Sequence, residues 1–128
     1  MKTLIAALLL ATATAAGAKP LTVRMGESWA FRISKGEPVQ ARKVASTAKP
    51  AKGEIMVTAR SFLGTMLTAV NGTGRGWTFK AELVSGGKVT PARTCTLPAD
   101  SAPIMEQWKT KSEAVRISKF VPADGGSC

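Results

Sequence analysis

The chain has 128 residues, with eighteen Lys and Arg against eight Asp and Glu, no histidine and a formal charge of +10 at pH 7. Without histidine it lacks the commonest general base and the commonest metal ligand, and two cysteines alone do not make a zinc set. The acids are isolated from one another along the chain, so composition argues against an enzyme, a metal site or a cofactor and for a basic domain that favours anionic neighbours.

The first eighteen residues read as a secretory signal peptide. Lys2 supplies the positive start, Leu8, Leu9 and Leu10 the apolar centre, and Ala16, Gly17 and Ala18 the small residues of a cleavage site. The apolar run is shorter than the roughly 20 residues a spanning helix needs, and no later run is long enough. The expectation is an exported protein, periplasmic or extracellular, with one domain over residues 19–128 and no transmembrane segment in the mature chain. Export also removes nucleic acid as the natural partner of all this positive charge.

The mature chain then reads as a succession of strands. Residues 21–23 form a short edge strand. Trp29, Phe31 and Ile33 alternate with Ala30 and Arg32, the two-residue period of a half-buried strand. A turn at Ser34, Lys35, Gly36 and Glu37 leads past Pro38 into a weaker strand over 39–44, and the proline suits an edge because it cannot donate to a ladder. Residues 45–53 are small and aperiodic and read as a crossover loop between two sheets. Within them Ser46, Thr47, Ala48 and Lys49 fit the Ser-x-x-Lys pattern of penicillin-recognising serine enzymes. Pro50 follows at once, no partner motif exists, and the chain is far too short for that fold, so the match is read as loop.

Over 55–62, Ile55, Val57 and Ala59 take one face and Thr58 and Arg60 the other, with Met56 the exception. Residues 65–70 are apolar on both faces, as in a central strand. The loop Asn71, Gly72, Thr73, Gly74, Arg75, Gly76 follows. Gly72, Gly74, Arg75 and Gly76 make it a candidate anion-binding loop: a backbone nest offers N–H groups and Arg75 adds charge. Its Asn-Gly-Thr start also fits the N-glycosylation pattern, which matters only in a eukaryotic route, and the Ala-rich leader reads as bacterial.

Trp77, Phe79, Ala81 and Leu83 share one side of the next strand, and a turn at 85–88 leads into a run over 89–97 that Pro91 marks as bulged or at an edge. Asp100 or Ser101 could cap a short helix near residues 101–110, with Pro103 in its first turn and Ile104 and Trp108 on one face. A last strand runs over 115–120 before a glycine-rich tail. Trp29, Trp77 and Trp108 all fall where a core-facing side chain is expected, which disfavours a sugar-stacking platform. Cys95 and Cys128, in an oxidising compartment, are expected to form a disulfide that pins the tail to a strand.

About seven to eight strands with glycine turns, and no helix long enough for a βαβ crossover, make an all-β fold. An immunoglobulin-like antiparallel β-sandwich is expected on architecture alone, with a small barrel second. The hallmark pair of inter-sheet cysteines is missing, and no motif is specific to a family. The functional expectation is a non-catalytic exported bacterial envelope protein, an accessory binding or structural module whose basic surface meets an anionic envelope component. The alternative is a protein-interaction module, an inhibitor or assembly partner, that meets another exported protein through an edge strand or a hairpin loop.

Overall fold

The computed structural model describes residues 19–100, 102–124 and 128; residues 1–18, which the sequence reading takes as a signal peptide, lie outside the described residues. Nine strands follow in order: β1 (Leu21–Arg24), β2 (Ser28–Ser34), β3 (Glu37–Val44), β4 (Ile55–Ser61), β5 (Thr65–Asn71), β6 (Trp77–Ser85), β7 (Lys88–Ala92), β8 (Ile104–Trp108) and β9 (Ala114–Pro122). They form two sheets, β1-β9-β6-β7 and β3-β2-β4-β5-β8, with every pair antiparallel. The fold is a β-sandwich. Among the described residues there is no helix, and so none able to cross a membrane.

The core lies between the sheets. Val23, Val115, Ile117, Phe79, Ala81 and Leu83 come from one; Phe31, Ile55, Val57, Ala59, Leu67 and Ala69 come from the other. Strands β5 and β6 show why the period of two works: Thr65, Leu67, Ala69 and Asn71 are buried while Met66, Thr68 and Val70 are half-buried. Met56 broke the alternation of β4 because β4 is the middle strand of five. Its outward side chains are covered by their neighbours, and Thr58 shares a 2.7 Å hydroxyl hydrogen bond with Ser28 of β2. The three tryptophans are half-buried against the core, and each indole N–H has an acceptor: Glu27 for Trp29, Thr73 for Trp77 and the Arg93 carbonyl for Trp108.

Three expectations are corrected. The helix near residues 101–110 is strand β8, paired in register with β5 from Ala69↔Ile104 to Thr65↔Trp108. A spacing of four puts Ile104 and Trp108 on one side of a strand as well as of a helix, and β5 offered an open edge. Residues 45–53 do not link two sheets. β3 and β4 flank β2 in one sheet, so the loop passes over β2. Third, the immunoglobulin-like expectation holds only as two packed antiparallel sheets. Immunoglobulin domains place strands A, B, E and D in one sheet and C, F and G in the other, whereas β2 to β5 here all share a sheet. The count is nine strands because β8 replaces the helix; the 89–97 run is a strand only as far as Ala92. Pro91 sits in β7, an edge strand, as its missing N–H requires.

Glu27 fastens the β1–β2 turn to β3. It accepts the Trp29 indole N–H and the Arg24 backbone N–H, each at 3.0 Å, and pairs with Lys43 at 3.0 Å. The Trp29 bond, the Lys43 contact and the Arg24 bond together hold its carboxyl down from 4.5 to about 2. A carboxyl whose folded pKa is depressed stabilises the fold above its unfolded pKa and loses that contribution as pH falls through the folded value. Urea midpoints are therefore expected to fall as pH drops from 4.5 towards about 2, and Glu27→Gln should show a smaller fall over that window. An unchanged slope in the variant would remove Glu27 from the account.

Candidate functional site

The β5–β6 connection is built on Asn71, which is fully buried at the end of β5. Its side-chain N–H₂ donates to the carbonyls of Arg75 at 2.6 Å and Pro98 at 3.0 Å. Its side-chain oxygen accepts the Thr73 backbone N–H at 2.9 Å and the Thr73 hydroxyl at 2.7 Å. Asn71 is thus a structural hub, and its engaged amide rules out a sugar attached there in the folded chain. Removing it strands buried partners, so Asn71→Ala is expected to cost about 1–3 kcal/mol in a denaturant melt.

The glycines of the loop divide into two roles. Gly72 turns into the sheet end, where its N–H donates to the Glu54 carbonyl at 2.7 Å and an added Cβ would lie 2.8 Å from that oxygen. Gly74, Arg75 and Gly76 line a cleft of about 490 Å³ with Pro98, Ala99, Asp100, Ala123 and Asp124. The N–H groups of Thr73 and Arg75 bond within the loop, to Asn71 and to the Thr73 hydroxyl. The Arg75 side chain is exposed. Its guanidinium carbon lies 5.4 Å from the Trp77 ring centroid, a cation–π distance, and it makes no ion pair among the described residues.

The other walls arrive from far along the chain. Leu97 and Trp77 exchange backbone hydrogen bonds at 2.8 and 3.0 Å, and the Ala123 N–H donates to the Gly76 carbonyl at 3.0 Å. Asp100 and Asp124 thereby face the same cleft as Arg75. Both were missed in the sequence, where 25 or more positions separate each from Arg75. The cleft can meet an anionic group through Arg75 and hydroxyl or amine groups through the two carboxylates. Among the described residues no three His, Cys, Asp or Glu side chains are grouped to hold a metal ion.

Cys95 and Cys128 are at disulfide distance, with Cα atoms 4.1 Å apart. The Cys95 N–H donates at 2.6 Å to Glu106, which points inward from β8 and is 7% exposed. Burial pushes the Glu106 carboxyl up, against the opposing pull of that hydrogen bond. Ser46 and Lys49 are exposed positions of the 45–53 loop, with no second motif beside them. Comparison with protein-family models, with curated proteins and with solved structures finds no match to this chain.

Proposed function

We propose that this chain is an exported, non-catalytic accessory module of a bacterial envelope, periplasmic or extracellular, that binds an anionic envelope component through its basic surface. The observation that supports this is how few of its cations are neutralised. Among the described residues the ion pairs are Arg42–Glu54, Lys43–Glu27, and Lys80 and Arg116 with Glu82. Arg24, Arg32, Lys35, Lys49, Lys52, Arg60, Arg75, Lys88 and Arg93 make none. Arg75 is the leading contact, because its loop is fixed and its guanidinium is displayed at a cleft.

The test is co-sedimentation of the chain from Lys19 onward with envelope fractions at low and high salt. Charge-led retention should fall steeply with ionic strength, and Arg75→Ala should weaken it about five-fold, since one cation near an anionic surface is worth about 1 kcal/mol. No retention at low salt would end this reading.

Retention that survives salt would favour a second reading, a protein-interaction module using a sheet edge, and one observation supports it. Edge strand β3 carries Pro38, Lys43 and a register shift against β2, β7 carries Lys88 and Pro91, and β1 has four residues. Such features discourage edge-to-edge pairing. Edge strand β8 has no proline, lysine or arginine within it and displays Met105 at 68% exposure.

A further inference from the structure

At the opposite end of β5 from the Arg75 cleft, the β4–β5 hairpin tip exposes two large apolar side chains in succession, Phe62 at 54% and Leu63 at 79%. Nothing in the core needs them there, yet their backbone is fixed. The Gln107 side-chain N–H₂ donates to the Phe62 carbonyl at 2.5 Å and lies 3.4 Å from the carbonyls of Leu63 and Thr65. Gly64 packs so closely on the next loop that a Cβ would collide with the Trp108 carbonyl. Leu63 has φ +50°, a left-handed conformation that residues other than glycine rarely adopt. The tip is thus held in shape while its side chains point outward.

The surroundings of the tip are cationic. Arg60 precedes it by two residues and is exposed. Lys109 and Lys111 are exposed on the loop against which the tip rests, where Thr65 donates to the Thr110 carbonyl at 2.8 Å and shares a 2.8 Å hydrogen bond with Ser112. None of these three cations has an ion pair among the described residues. The acid of that loop, Glu113, accepts the Gly86 N–H at 3.2 Å on the β6–β7 turn.

We infer that the Phe62–Leu63 tip seats in the interfacial region of an anionic lipid bilayer, with Arg60, Lys109 and Lys111 on the headgroups. Two side chains on a convex tip match a soft interface, whereas a protein partner would have to supply a pocket. Partial burial of the apolar pair combined with headgroup attraction is the two-part basis of reversible membrane binding. The inference goes beyond the envelope-binding reading, because it assigns a lipid contact to the end of the sandwich away from Arg75. It would hold the Arg75 cleft one strand length from the bilayer, roughly 20 Å for seven residues of β5.

The test is sedimentation of the chain from Lys19 onward with vesicles of phosphatidylcholine alone and with phosphatidylglycerol added. Binding is expected only with the anionic lipid. The doubly substituted Phe62→Ser, Leu63→Ser chain should bind about ten-fold less or weaker still, from the loss of two partly buried apolar side chains. Its urea midpoint should match the parent, because both side chains are exposed. Lys109→Ala with Lys111→Ala should reduce the preference for anionic vesicles. Equal binding by the Phe62/Leu63 variant or no binding by the parent would each overturn the inference. So would self-association abolished by the Phe62/Leu63 change without vesicle binding. Envelope retention that depends on Arg75 while vesicles fail would sink this inference and leave the envelope reading standing.

Discussion

Phe120→Ala is expected to destabilise the fold by about 3–5 kcal/mol, the range for deleting a buried phenyl side chain. Phe120 is 3% exposed and sits among aromatic rings from both sheets. It stacks on Phe79 at 5.2 Å, meets Phe31 at 5.6 Å across the sandwich and takes Trp77 edge-on at 6.4 Å. Rings from two sheets cannot close the gap together without shifting strands, so most of the cavity should persist. Domains of this size are stable by about 5–15 kcal/mol in all, so the loss is a large share. Urea unfolding followed by tryptophan fluorescence measures it, with Trp77 as a local reporter. Phe120→Leu should lose much less, because it keeps most of the volume. Equal midpoints for parent and alanine variant would mean that Phe120 is not the centre of the core.

The second large effect is expected from the Cys95–Cys128 link, whose residues are 33 positions apart. Closing a loop of that size restricts the unfolded chain by an amount the loop-entropy model puts at about 3–4 kcal/mol. Replacing both cysteines by serine removes this without leaving a free thiol. The unfolding free energy of the double variant should fall by that amount, and its urea midpoint by that amount divided by the denaturant slope. Added reductant should then lower the parent to the level of the variant and leave the variant unmoved. A parent that ignores reductant and matches the variant would mean that the two cysteines are not linked in solution. The Glu106 carboxylate accepts from the Cys95 backbone N–H and not from its sulfur, so this contact should survive in both.

Much of the sandwich could be read from the alternation of single side chains. Trp77, Phe79, Ala81 and Leu83 belong to one strand whichever neighbours it has, because the period of two is a local property. Elements that depend on a partner were harder to read. Ile104 and Trp108 fit either period, and Glu106 between them gave no sign that a backbone N–H from Cys95 waited for it. Phe120 is out of step with Val115 and Ile117 and would face outward on strict alternation. The positive φ of Lys119 and the shifted register between Thr78 and Lys80 turn it inward, and a bulge leaves little trace in composition. The candidate loop was legible through its glycines and Arg75. Its cleft was not, since Asp100 and Asp124 reach it only through the backbone bonds of Leu97 and Ala123.

One consequence of the strand order concerns when the fold can close. β9 lies inside its sheet, between β1 and β6, and β1 has no other partner in that sheet. The first strand to be synthesised therefore waits for the last. Until residues 114–122 exist and are free to pair, one layer of the sandwich lacks a central strand, and the other layer has no complete face to pack upon. Joining chain segments so distant in sequence is also slow, because loop closure precedes any gain from the contact. The topology thus makes closure of the β1-β9-β6-β7 layer wait on pairing between strands from the two ends of the described chain.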